Sequence, residues 1–255
     1  MADGTALVEM KGIVKNFGKV QALRGVDFRV NRNEVMGLLG DNGAGKSTLI
    51  KILVGLYQPD QGEIYMEGKK VNFASPKDAR RAGIETVYQD LALAELMSIS
   101  RNFFLGRELT VRKGPFELLD KRKMSSISRD VLTDIGVKVR NVDETVAFLS
   151  GGERQAIAIG RAIYFGAKLL ILDEPTAALS VKETRRVLEL IVEAKNRGLS
   201  VIFITHNIYH VYEVADRFTL LEHGRKVGDF RKEEVTPQDM IDIISRETAV
   251  REEED

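Results

Sequence analysis

Gly40-Asp41-Asn42-Gly43-Ala44-Gly45-Lys46-Ser47 follows the uninterrupted apolar run Val35–Leu39 and precedes Leu49, Leu53 and Leu56 at helical spacing. The octapeptide satisfies G-x-x-x-x-G-K-[ST] in the order the motif requires: strand, loop, helix. Its glycines let successive backbone N–H groups turn inward, and the N-terminus of the following helix adds positive potential, so the loop is a cradle for phosphate. Lys46 is placed to reach the outer phosphates, and the Ser47 hydroxyl suits the coordination shell of Mg²⁺.

Working outward, three more apolar runs have the character of Val35–Leu39: Ile84–Tyr88, Leu169–Leu172 and Val201–Thr205. Runs this short and this continuous suit parallel strands covered on both faces. Gly25–Val30, Ala6–Met10 and Glu63–Glu67 instead alternate apolar and polar residues, as half-buried antiparallel strands do. Helix signals fall between the parallel strands. Ser75-Pro76 offers an N-cap with Pro at the first helical position, and Gly83 a stop before the next strand. Ser180 and Glu183 form a capping box, after which Val187, Ile191 and Ala194 recur at helical spacing until Gly198. Strand and helix alternate, so the core is α/β with right-handed crossovers.

Residues 90–157 interrupt that rhythm. They read as a helical insertion without strands, its helices at Ser98–Leu105 and Lys121–Ile135, the second closed by Gly136. Phe218–Leu221 and Arg225–Phe230 read as a hairpin, and Thr236-Pro237 opens a last helix before an acidic end, Arg251–Asp255, that is expected to fray. The expected organisation is a phosphate-loop α/β core of 1–89 and 158–230, an insertion of 90–157, and a C-terminal helix and acidic tail of 231–255.

Composition narrows the function. With 255 residues, one substantial domain, or a domain carrying a smaller one, is expected. The chain has no cysteine, which excludes disulfides and thiolate zinc sites. The 38 Lys and Arg balance the 38 Asp and Glu, which gives no support to nucleic-acid binding driven by bulk charge. Met1–Met10 carries Asp3 and Glu9 and lacks the apolar stretch of a signal peptide. Ala156–Leu172 is broken by Arg161 and Lys168, and Leu199–Thr205 falls far short of the roughly 20 residues a membrane span needs. If the protein works at a membrane, another chain spans it.

Two further stretches carry chemistry. Leu169-Leu170-Ile171-Leu172-Asp173-Glu174 is a buried strand ending in two carboxylates, at the end where open α/β sheets place ligands. Asp173 can join a Mg²⁺ shell, and Glu174 can polarise an attacking water. In Leu149-Ser150-Gly151-Gly152-Glu153-Arg154-Gln155, Ser150 and Glu153 make a second capping box ahead of an apolar helix at Gln155–Ile163. Two glycines before a helix N-terminus again let backbone N–H groups approach an anion. One chain thus offers two phosphate-facing helix ends.

With these motifs in this order, the sequence resembles the nucleotide-binding subunit of ATP-binding cassette (ABC) transporters, from about Leu7 to Phe230. The phosphate loop matches the family's first motif and Leu149–Glu153 its signature, with 23 residues from Ser150 to Asp173. The resemblance implies an α/β P-loop NTPase core with an N-terminal antiparallel β subdomain and an inserted α-helical subdomain. ATP and Mg²⁺ are the implied ligands. ATP would lie on Gly40–Ser47 and Thr48, with Phe17 against adenine. Ser47, Gln89 and Asp173 would serve Mg²⁺, and Glu174, His206, Gln89 and Lys46 would serve catalysis. Ser150, Gly151 and Gly152 would close on the nucleotide of a second ATP-binding subunit, since a displaced helical subdomain cannot reach its own chain's loop. Ser180 stands where the family usually has Asp, so altered communication between subunits is expected, with activity kept.

Within the family, Tyr88-Gln89-Asp90-Leu91, Ser98-Ile99-Ser100-Arg101-Asn102, Phe104-Leu105-Gly106-Arg107-Glu108 and Glu174–Ser180 resemble the importer branch for monosaccharides such as ribose, xylose or fructose. That implies a homodimer peripheral to the cytoplasmic face of the membrane, docked on transmembrane permease subunits and served indirectly by an extracytoplasmic sugar-binding protein. An exporter ATPase and a soluble non-transport ABC ATPase are the alternatives. The soluble class fits less well: only 127 positions separate Lys46 from Asp173, with no heptads for a coiled coil.

Overall fold

The computed structural model of the protein describes residues 6–89, 93–137 and 140–252. Strands β1 (Ala6–Phe17) and β2 (Val20–Asn31) pair antiparallel. In β2, Val26, Phe28 and Val30 are buried and Asp27 is exposed, the pattern expected of a half-covered sheet. Strand β3 (Val35–Leu39) leaves that sheet for another, and the phosphate loop carries the chain into α1 (Lys46–Leu53). Strands β4 (Gln61–Met66) and β5 (Lys69–Val71) then complete the first sheet, in the order β2-β1-β4-β5. Helix α2 (Pro76–Arg81) starts on Pro76, but the Ser75 hydroxyl bonds the Asp78 carboxylate at 2.8 Å instead of capping a backbone N–H. Strand β6 (Ile84–Val87) follows Gly83.

The stretch read as strandless contains a hairpin. Between α3 (Ile99–Phe103) and α4 (Lys121–Asp134), β7 (Thr110–Lys113) and β8 (Phe116–Leu119) pair antiparallel around Gly114-Pro115, and all eight strand residues are exposed. Helix α3 is also shorter than its expected Ser98–Leu105. Helix α5 (Gly151–Tyr164) begins four residues before Gln155, because the Ser150 cap and the helix are continuous. The expected boundary at 157/158 therefore runs through the middle of α5. Asp90 and Leu91 of the importer-like segment lie outside the described residues, as do 253–255 of the acidic end.

The rest alternates as expected: β9 (Leu169–Asp173), α6 (Val181–Asn196), β10 (Ser200–Ile204), α7 (Ile208–Val214), the hairpin of β11 (Arg217–Glu222) and β12 (Arg225–Arg231), and α8 (Pro237–Glu252). The second sheet has the order β12-β11-β3-β10-β9-β6, parallel throughout except for the β11–β12 pair.

Its continuous apolar runs have a direct cause. Val35, Leu39, Leu170, Leu172, Val201 and Phe203 pack into a core shared with α5 and α6. Met36, Leu38, Leu169, Ile171, Ile202 and Ile204 point the other way, into a second core closed by β1, β2 and α1. A strand with a core on each face needs apolar side chains at both phases of its alternation. Truncating one of these, as in Leu170→Ala, costs about 2–5 kcal/mol.

Candidate active site

Strands β3, β6, β9 and β10 run parallel in register, so their carboxyl ends finish on one edge of the sheet. The phosphate loop, Gln89, Asp173-Glu174 and Thr205-His206 emerge there. Asp41–Thr48, Gln89, Asp173, Glu174 and His206 line one cavity of about 460 Å³, joined by Ala22 and Ala177. Four sequence segments far apart in the chain thus meet through sheet topology alone.

The loop can be built only from the residues it has. Gly40 has φ 145°, and a Cβ there would lie 2.1 Å from the Leu221 carbonyl oxygen. Gly45 caps α1 in the left-handed region at φ 105°. Helix α1 has no acidic residue in its first turn and no side-chain cap bond, which leaves its N-terminal N–H groups for a ligand. Lys46 is buried, and its ammonium donates to the carbonyl oxygens of Gly40 at 2.6 Å and Asp41 at 2.9 Å. Burial pulls its pKa below the ordinary lysine value, although Glu174, Asp41, Asp173 and Glu222 all pull it upward.

The acidic end of β9 is held from β10. Glu174 takes a left-handed φ of 49°, and its N–H still donates to the Ile204 carbonyl at 2.9 Å. One carboxylate oxygen accepts from the His206 N–H at 3.0 Å and lies 2.7 Å from His206 Nδ1; the other accepts from Thr205 Oγ1 at 2.9 Å. With Nδ1 turned to the Glu174 carboxylate, Nε2 is left as the second functional nitrogen of the ring. Burial, and then the adjacent Glu174, push the Asp173 carboxyl above the usual carboxylate range, partly offset by Lys46 and Lys51. The cavity therefore holds charges of both signs that water solvates poorly.

Other expected residues lie elsewhere. Phe17 ends β1 with 43% of its surface exposed and its ring edge-on to Tyr57 at 5.3 Å, outside the residues that line the cavity. Ser150 and Gly152 line a different depression, of about 500 Å³, with Lys182, Glu183 and Arg186 of α6. Both capping boxes read from the sequence are formed. Ser150 Oγ accepts from the Glu153 N–H and Glu153 from the Ser150 N–H; Ser180 and Glu183 do the same on α6. Gly151 abuts Leu179, whose Cδ2 would be 2.5 Å from a Cβ there.

Sequence reasoning did not single out Thr205, Ala22, Ala177 or Glu222. Thr205 orients Glu174 and receives the Asn207 N–H at 3.0 Å. Its position directly before His206 was its only signal. Glu222, buried at the end of β11, carried none, because it reaches Lys46 electrostatically from a strand 176 residues further along the chain.

A phosphate loop, an acidic strand end and a separately mounted, glycine-opened helix on a doubly covered parallel sheet define an ATPase of the ATP-binding cassette class, with an α/β P-loop NTPase fold. The chain belongs to the ABC transporter family, whose family model matches residues 23–177. It is 48% identical to the xylose/arabinose import ATP-binding protein of Sulfolobus acidocaldarius over 94% of both chains. It is 46% identical to the fructose import ATP-binding protein of Rhizobium meliloti, again over 94% of each. The crystal structure of the ADP conformation of an ATP-binding cassette from an ABC transporter superposes with a TM-score of 0.81 at 24% identity, covering 96% of this chain and 97% of that one.

Proposed function

We propose that this ATPase is the energy-supplying subunit of a monosaccharide importer, acting as a pair that closes around two ATP and docks on separate transmembrane subunits. The observation that carries the reading is the division of the chemistry. The phosphate loop and the Ser150 turn line different cavities with no residue in common, so one molecule does not bring its two phosphate-facing helix ends together. A second copy can. The likeness to sugar-import ATP-binding proteins over nearly the whole chain supports the transport role and the substrate class. Among the described residues no helix is long and apolar enough to cross a membrane; in this reading partner subunits span it, with this subunit on their cytoplasmic side.

In this reading Gly40–Thr48 wraps the phosphates with backbone N–H groups and Lys46 exchanges its two loop carbonyls for phosphate oxygens. Phe17, at the outer end of β1, packs on adenine. Glu174 orients the attacking water, and Thr205 and His206 fix its carboxylate; Nε2 of His206, when it carries a proton, donates to the outer phosphate. Ser150, Gly151 and Gly152 of the partner copy complete the enclosure. The helical part around 90–157 presents that turn, and the core of 1–89 and 158–230 holds the nucleotide.

The donor set fits Mg²⁺. A serine hydroxyl, a glutamine amide and one carboxylate are oxygen ligands, and Mg²⁺ binds through one or two carboxylates together with substrate phosphates. Asp173, raised in pKa by its surroundings, is the carboxylate a cation would relieve. Ser47, Gln89 and Asp173 would hold the ion, which supplies charge neutralisation across the phosphates when bound.

The test is Glu174→Gln. Nucleotide binding should stay near that of the wild type, turnover should fall about 10²–10⁴-fold, and light scattering should show a dimer accumulating with ATP and Mg²⁺. A variant that stays monomeric at high concentration overturns the paired mechanism. Lys46→Ala should weaken ATP binding itself, read by calorimetric titration.

A further inference from the structure

The two capping boxes are joined by one carboxylate. Glu183, third residue of α6, uses Oε2 for its own helix cap, accepting from the Ser180 N–H at 3.0 Å and the Ser180 hydroxyl at 2.7 Å. Its other oxygen, Oε1, faces the first turn of α5 and lies 3.5 Å from the Gly152 N–H. Contact is close along the whole side chain, because a Cβ on Gly152 would lie 3.1 Å from Glu183 Cβ. The Ser150 hydroxyl, already accepting from Glu153, has one proton left to donate and is among the groups that lower the Glu183 pKa. Four polar contacts from two helix ends hold the carboxyl at a pKa of about 2. It is therefore an anion at any physiological pH, bound where the Ser150 turn meets anions.

Gly152 N–H and the Ser150 hydroxyl are the groups that, in the proposed pairing, receive the outer phosphate of the partner's ATP. We infer that Glu183 is a positioning residue that occupies these donors in the resting chain and yields them, by release of Oε1 alone, when the partner's nucleotide closes on the turn. The two oxygens make this separable. Oε2 keeps α6 capped through Ser180 while Oε1 lets go, so the exchange leaves the secondary structure intact. The device also links the sites. Glu183 lies nine residues after Glu174, on the helix that the Glu174–Ser180 loop leads into, so movement of that loop at a chain's own site shifts the carboxylate that guards its contribution to the opposite site. Ser180 serves the same device, since its hydroxyl both caps α6 and donates to Glu183.

This inference rests on the paired reading, and one experiment separates the two. In a Glu174→Gln background, which retards hydrolysis, the full-length chain is titrated with ATP and Mg²⁺ and dimer is followed by light scattering, with and without Glu183→Gln. A neutral amide still accepts from Ser180 and keeps α6 capped, so the variant should fold cooperatively, melting somewhat below its parent because the stabilised charge is gone. Removing the competing charge should lower the ATP concentration for half-maximal dimer about three- to fivefold, the scale of one charge at a helix end. Binding of ATP to dilute monomer should not change. Glu183→Asp, too short to reach Gly152 while holding Ser180, should shift dimerisation the same way. A dimer that forms at the same or higher ATP concentration in Glu183→Gln overturns the inference and leaves the paired reading standing. A background protein that never dimerises overturns both.

Discussion

A methyl group at position 40 would have to share space with the Leu221 carbonyl oxygen at 2.1 Å, and that oxygen belongs to the backbone of β11, which cannot yield. Gly40→Ala should cost at least about 2–3 kcal/mol in urea unfolding, in the range of overpacked or strained positions, before any effect on nucleotide is counted. Asp173 presents the opposite case, a residue the folded chain tolerates at a cost. Its carboxyl binds its proton more tightly folded than unfolded, so stability is lost as pH rises from the unfolded to the folded pKa and stays lost at neutral pH. Asp173→Asn should therefore melt about 2 °C or more above the wild type at pH 7 without nucleotide. The gap should close as the pH is lowered through the carboxylate range. Both residues were legible in the sequence because their chemistry is local: a glycine fixed by a motif, and an acid ending an apolar run. Thr205 and Glu222 were not, because what matters about them is a neighbour more than thirty residues away.

Elements were legible to the extent that burial wrote them. The parallel strands between two cores were read to within a residue or two, and the capping boxes of α5 and α6 were read down to their hydrogen bonds. The β7–β8 hairpin left only a turn signal, Gly114-Pro115. With no face against a core, Thr110–Lys113 and Phe116–Leu119 have no apolar alternation to read. Helix α3 depends on another kind of information. Asn102, fully buried, donates its amide nitrogen to the carbonyls of Ala94, Met97 and Ser98 and accepts from the Ala94 N–H at 2.8 Å, tying down the loop that enters the helix. Asn102→Ala leaves these groups unpaired in a dry setting and should destabilise the protein by about 3 kcal/mol in chemical denaturation. The loss should exceed that of any exposed substitution in β7 or β8.

For the molecule as a whole, the order β12-β11-β3-β10-β9-β6 decides what can meet. It sets strands from both ends of the chain side by side, so segments from Asp41 to His206 reach one cavity only in the finished fold. A ligand bridging them should stabilise the whole cooperative unit: ATP with Mg²⁺ at about a hundredfold over its dissociation constant should add about 2.7 kcal/mol, or at least about 5 °C in melting temperature. Lys46→Ala should lose that gain at the same nucleotide concentration. The position of Phe17 has a practical corollary. The chain contains no tryptophan, and the Phe17 ring stands half in solvent at a strand end, beside Tyr57 and the Lys15 ammonium. A Phe17→Trp substitution would give the molecule a single indole fluorophore that can be excited selectively over its six tyrosines. Its emission would report in real time, without a label, whether a purine base settles on that ring and when it departs.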